Sequence, residues 1–158
     1  DLDIFFSVKL SIKKNNYGKT ITLKDLKHIL NESKEECKST LQNKKIIHMI
    51  IDKYQIDNKD YYDLPESLNC DYFSIDVRFI TLSENLVKNF ENILKKYHIS
   101  LSKIICAEYM NEISSIDEIN FVDMTKKVID GFNRNEILLA EKTSKNKGFF
   151  ERFFHFFS

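Results

Sequence analysis

Residues 72–82 read YFSIDVRFITL. Phe73, Ile75, Val77 and Phe79 fall on one parity and Ser74, Asp76, Arg78 and Ile80 on the other, the period of two that marks a strand with one face in a core. Upstream, residues 4–13 (IFFSVKLSIK) repeat the pattern, with Phe6, Val8, Leu10 and Ile12 set against Ser7, Lys9 and Ser11. Asn15, Asn16 and Gly18 predict a turn and then a short second strand over 20–23. Thr22 with Asp25 three residues on has the form of a helix cap, and Leu23, Leu26, Ile29, Leu30, Cys37 and Leu41 keep helical spacing, so a first helix is expected over 23–40. Residues 45–55 (KIIHMIIDKYQ) predict a long strand, with His48, Ile50 and Asp52 on one parity, running into a polar loop that holds Asn58, Asp60, Asp63 and the single proline, Pro65. Ser83 is a cap for a second helix over 84–97, striped by Leu86, Val87, Phe90, Ile93 and Leu94.

A strand from about Leu101 (LSKIICAEY) is expected next, then a linker at SSIDE and short strands at 119–123, 128–132 and 136–140. The fold class that follows is α+β, a sheet with helices packed on one face, then short strands and a C-terminal amphipathic helix. The expected division is a strand-helix-strand domain over 1–113, a remnant of further strands over 114–140, a polar linker over 141–147 and a terminal helix over 148–158.

At 158 residues the chain suits one domain with a tail. Its 24 Lys and Arg balance 24 Asp and Glu, so no global field draws nucleic acid, and nucleic acid is not expected as a partner. Cys37, Cys70 and Cys106, without CxxC spacing, argue against a disulfide framework or a zinc site and for a reducing cytoplasm. No apolar run reaches the roughly 18–20 residues of a membrane-spanning helix. The chain opens on Asp1 without the pattern of a secretory signal, which suggests a segment of something longer.

Candidate chemistry is sparse. His28, His48, His98 and His155 show no second ligand at helical spacing, so no metal is expected. The cysteines read as buried small apolar residues, and carboxylate pairs such as Glu35 and Glu36, or Asp57 and Asp60, as solvated. Gly18, Gly131 and Gly148 stand apart, and neither GxxxxGK nor GxGxxG occurs, so no phosphate-binding loop and no cofactor are expected.

The tail carries the sharpest signal. KNKGFFERFFHFFS gathers Phe149, Phe150, Phe153, Phe154, Phe156 and Phe157 into a helical arc of about 160°, opposite Glu151, Arg152 and His155. With Lys145 and Lys147 before it, and Arg152 within it, this is the composition of a helix lying in an anionic membrane interface. At roughly 1.5 kcal/mol per ring, less the cost of ordering the segment, one such helix binds weakly and reversibly, which favours self-association.

In this order the pieces resemble FtsA, the actin-like bacterial cell-division family, over residues 7–112. TITLKDLKHIL resembles the family's entry from strand to helix. NKKIIHMIIDKYQIDNKDYYDLPESLNCDYFSIDVRFIT matches its next stretch at Ile47, His48, Tyr54, Ile56, Asp57, Pro65, Leu68 and Thr81, with Ile51 where a proline is usual. ENLVKNFENILKKYHISLSKIICAEY resembles the helix and strand that follow. The region corresponds to the SHS2 subdomain. EINFVDMTKKVIDGFNRNEIL is similar to the family's strand, phosphate loop and strand, matching at Asp123 and Met124. There Thr125, Lys126 and Lys127 replace the glycines, which argues against ATP binding and against an enzyme. The closing segment resembles the family's membrane-targeting helix.

The resemblance implies an adaptor on the cytoplasmic face of the inner membrane at the division site, with divisome proteins as partners. The subdomain that grips FtsZ has no counterpart here, which argues against FtsZ as a partner. Alternatives are a piece of an actin-fold ATPase, an FtsA-like pilus-assembly adaptor, or a domain whose terminal helix packs on its own core.

Overall fold

A computed structural model of the chain describes residues 4–63, 68–114 and 120–137. The elements run β1 (Phe5–Thr20), α1 (Leu23–Thr40), β2 (Lys44–Ile56), β3 (Lys59–Tyr61), β4 (Asn69–Ser83), α2 (Glu84–Lys95), α3 (Ala107–Ile113) and α4 (Phe121–Ile129). The fold is α+β. Its four strands form one antiparallel sheet in the order β1-β4-β2-β3. The stretch at 72–82 is the middle of β4, which pairs β1 from Phe5↔Leu82 to Thr20↔Asn69 and β2 from Lys44↔Ser83 to Ile56↔Phe73.

The odd parity of β4 is the core. Phe73, Ile75, Val77 and Phe79 are all buried, packed with Ile12 of β1, with Met49, Ile51, Tyr54 and Ile56 of β2, and with Leu26, Ile29, Leu30 and Cys37 of α1. Helix α1 begins at the expected cap: the Asp25 N–H donates to the Thr22 hydroxyl at 3.3 Å while the Thr22 N–H donates to the Asp25 carboxylate at 2.9 Å. The side-chain hydrogen bond from Thr22 holds the Asp25 carboxyl below its ordinary range.

The opposite face is covered too, contrary to the one-sided packing expected. Ile50 and Ile80 carry a second cluster with Cys106, Tyr109 and Met110 before and in α3, and Met124 and Val128 of α4. The reason lies in the even parity of β4. Ser74, Asp76 and Arg78 make that face polar at one end, but Ile80, beside Ile50 of β2, makes it apolar at the other, and that surface draws the later helices over it.

Four further expectations are corrected. Asn15, Asn16 and Gly18 do not reverse the chain. Tyr17 and Gly18 both take positive φ, 54° and 71°, and make a bulge, after which Lys19 and Thr20 resume pairing with the same partner, β4. The polar loop after β2 starts as a tight hairpin, with Asp57 and Asn58 at φ 45° and 66°, that returns as β3. Residues 101–106 form no strand, and 107–113 are helical instead. Finally, α4 replaces the strands expected at 119–123 and 128–132. The Asn120 side chain accepts from the Val122 N–H at 3.1 Å and the Asp123 N–H at 3.4 Å, and the two buried residues, Met124 and Val128, lie four apart, a helical spacing.

Helix α4 ends in a Schellman motif: Gly131, at φ 80°, donates its N–H to Val128 at 3.2 Å, and Phe132 donates to Lys127 at 2.9 Å. Of the strand expected at 136–140, the described part makes one antiparallel bridge, Glu136 to Ile50; residues 138–140 lie outside the described residues. Thr22→Ala and Gly131→Ala are each expected to lower stability by about 1 kcal/mol, the first by losing the cap and the second by forcing a side chain into the left-handed region. Urea denaturation of the two variants measures both.

Candidate functional site

Three segments far apart in sequence meet at a buried polar cluster. It joins His48 of β2, Tyr109 of α3, and Asn133 and Glu136 of the segment after α4. The His48 and Glu136 side chains are 0% and 3% exposed. The backbone N–H of Cys106 donates to Nε2 of His48 at 3.0 Å, so Nε2 offers a lone pair and the ring proton sits on Nδ1, 2.7 Å from Oε1 of Glu136. The Tyr109 hydroxyl donates to Oε2 of Glu136 at 2.8 Å, and Asn133 donates Nδ2–H to the Tyr109 oxygen at 3.1 Å. Burial, then the Glu136 charge, pushes the Tyr109 hydroxyl well above the ordinary phenol range. Among the described residues no buried side-chain nitrogen or oxygen lacks a partner. A cluster so enclosed and so fully satisfied fixes geometry; it ties β2 to α3 and to the last described segment.

Beside Glu136 a groove of about 900 Å³ opens. Half-buried Leu41, Ile46, Ile47, Leu101 and Ile104 line it together with charges of both signs, among them Lys45, Lys103, Glu84, Glu91 and Lys38, the last ion-paired to Glu35 at 2.9 Å. The groove follows the outer edge of β2. Strand β3 covers that edge at Tyr54–Ile56. Residues 135–137 cover the next part, with the Ile51 N–H donating to Asn135 at 2.8 Å and the Ile137 N–H to Met49 at 2.7 Å. Beyond that point, residues 45–47 of β2 have no strand partner on this side among the described residues.

The polar end of the sheet's second face is a paired ionic surface over a hollow of about 650 Å³. The Arg78 guanidinium sits between Asp52 at 3.0 Å and Glu112 at 2.7 Å, with Lys9 on Asp52 at 3.3 Å. Lys53 reaches Asp60 at 2.8 Å and Asp76 at 3.7 Å. Burial works against the Arg78 cation, yet the Glu112 hydrogen bond and the Asp52 charge outweigh it and raise its pKa. These matched pairs hold α3 to the sheet through Glu112 and leave little uncompensated charge for a ligand.

The residues singled out from sequence are scattered. Lys145, Lys147, Phe149, Phe150, Arg152, Phe153, Phe154, Phe156 and Phe157 lie outside the described residues. Asp123 and Thr125 stand on helix α4, where the Asp123 side chain is exposed and the Thr125 hydroxyl points to the Met110 sulfur at 3.7 Å. The strand, loop and strand arrangement expected around them is therefore absent. Cys37, Cys70 and Cys106 are free and buried, and burial pushes the Cys37 and Cys70 thiols up, away from the reactive thiolate.

Among the described residues no group of three or more His, Cys, Asp and Glu could hold a metal ion, and no helix is long and apolar enough to cross a membrane. Tyr109, Asn133 and Glu136 were not singled out, since nothing in their local spacing reports that they converge on His48. Exposed apolar side chains remain on α2 and just after it, at Phe90, Ile93, Tyr97 and Ile99, and on or just after α4, at Phe121, Val122, Ile129 and Phe132. Of the α2 stripe, only Val87 is fully buried.

No protein-family model matches the chain, and no curated protein matches it. Glu136→Ala would leave Nδ1–H of His48 and the Tyr109 hydroxyl without their acceptor in a dry site, an expected loss of about 3 kcal/mol. Glu136→Gln, which keeps one acceptor oxygen, is expected to lose less. Urea denaturation of the two variants gives the comparison.

Proposed function

We propose that the chain acts as an FtsA-like cell-division adaptor, a peripheral protein of the inner membrane that recruits divisome components through protein contacts. The observation that carries the reading is the ordered resemblance over residues 7–112, from the capped entry to α1 at Thr22 through His48 and Tyr54 to the β4–α2 junction. The sequence of strand, helix and strand in β1, α1 and β2, with β4 returning between β1 and β2, is compatible with it for these four elements, whose strands share one sheet and the α1 core, while residues 101–106, where the resemblance has a strand, form none. The phenylalanine arc of residues 149–157 supports the membrane half on composition alone. In this reading the domain binds no nucleotide, Asp123 and Thr125 serve α4, and the work is done by surfaces rather than by chemistry.

A second reading has one observation in its favour. The exposed Phe90, Ile93, Tyr97 and Ile99 offer an apolar surface on which a phenylalanine-rich terminal helix of the same chain could pack.

Co-sedimentation with liposomes containing anionic lipid separates the two. The intact chain is expected to pellet, while a version ending at Lys147 and the variant Phe153→Glu stay in solution. If all three stay in solution and the truncation lowers the melting temperature, the terminal segment belongs to the core and the membrane reading is overturned.

A further inference from the structure

We propose that His48 is a proton-operated release for helix α3: the neutral ring holds α3 through Cys106, and a second ring proton lets α3 go while the sheet and α1 stay folded. The inference goes beyond the adaptor reading and does not depend on it. Its basis is that the two ring nitrogens have different partners. Nδ1–H donates to Glu136 at 2.7 Å, a bond available to the ring whether neutral or charged. Nε2 accepts the Cys106 N–H at 3.0 Å, and it does so only while its lone pair is free. A proton there sets two donors against each other at a ring that is 0% exposed.

The conflict is resolved on the α3 side. His48 is fixed on β2, opposite Ile80 of β4. Glu136 belongs to a segment bonded to β2 at Met49 and Ile51, so it stays beside the charged ring as counter-ion. Cys106 has no such hold. It stands just before α3, where its carbonyl accepts the Met110 N–H at 3.1 Å, so turning Cys106 away undoes the start of that helix. A helix of seven residues has little stability of its own.

Other groups around the ring leave the choice to Nε2. From α3, Tyr109 lies with its ring centre 4.6 Å away, and burial keeps its hydroxyl protonated. The Cys106 thiol is buried and free. From β4, Arg78 acts on Tyr109 but is matched by Asp52 and Glu112. Helix α4 turns Met124 and Val128 to this cluster and leaves Asp123, Lys126 and Lys127 exposed. On its groove side Glu136 shares a lining with Lys34, Lys38, Lys45, Lys103, Glu84 and Glu91, charges of both signs. His28 and His98 are exposed, so His48 is the one buried histidine among the described residues.

The released form carries one proton more than the closed form. The hold on α3 is therefore complete above the ordinary imidazole range, about pH 6.5, and weakens by up to about tenfold per pH unit below it. Hydrogen exchange of the full chain between about pH 8 and about pH 5, with exchange times scaled to the intrinsic rate, reads the release, and nitrogen-15 shifts of the ring read the proton. Protection of the Met110 amide and its neighbours in α3 is expected to fall in step with charging of the His48 ring, while the amides of β4 and α1 keep theirs. His48→Gln, which offers a carbonyl oxygen but no titrating ring, is expected to flatten the profile. Loss of protection in α3 and β4 together overturns the proposal, as does an α3 that stays protected down to about pH 5, whether or not the ring charges. A His48→Gln variant that keeps the slope overturns it too, because a carboxylate then carries the effect. Should that variant fail to fold, the wild-type profiles decide alone, since they compare α3 with β4 in one molecule.

Discussion

Strand β4 is hydrogen-bonded on both edges and covered on both faces, and the rest of the molecule is arranged around that double burial. A strand in this position has no freedom of register, because a slip of one residue would exchange Val77 and Phe79 for Asp76 and Arg78 in the α1 core. Its neighbours inherit the constraint. The first strand must place Ile12 opposite Ile75, and β2 must set Ile51 opposite Val77 and Tyr54 opposite Ile75. Two clusters result, one sealed by α1 and the other by α3 and α4, with only the sheet between them.

The two clusters differ in how legible they were. The α1 side could be read directly, since period two in β4 and period 3.6 in α1 both report burial on a single face, and the Thr22–Asp25 cap marks the helix start. The α3–α4 side could not. Ile80 follows three polar residues of its parity and looks like an exposed exception, yet it is the seed of the second core. The stretches at 101–106 and 119–132 are rich in isoleucine, valine and phenylalanine, which favours strands locally. There, tertiary contacts decide the outcome: the Cys106 N–H is committed to a histidine ring, and Asn120 starts a helix whose buried residues are four apart.

The polar cluster shows the same limit from another direction. His48 stood out in the sequence as a lone histidine in an apolar strand, and its enclosure gives the simplest account of it. Its partners come from 58, 61 and 88 residues downstream (Cys106, Tyr109 and Glu136), a separation that no local pattern encodes. The phenylalanine arc is the reverse case, in which composition speaks plainly and the described structure contributes nothing to it. The groove was invisible in sequence, because its lysines and isoleucines come from α1, β2 and the segment after α2.

The bridge between Glu136 and Ile50 also defines a mechanical path. Any tension applied to the chain beyond Ile137 enters the domain through two backbone hydrogen bonds on the rim of β2 and through one carboxylate held by a histidine and a tyrosine. Those attachments lie within three residues of one another, so they share the load instead of failing singly in order along the strand. The carboxylate also passes the strain to α3. A pull from that side therefore strains both cores at once, because Ile137 is buried in the α1 cluster while Glu136 is held with His48 and Tyr109 on the other face.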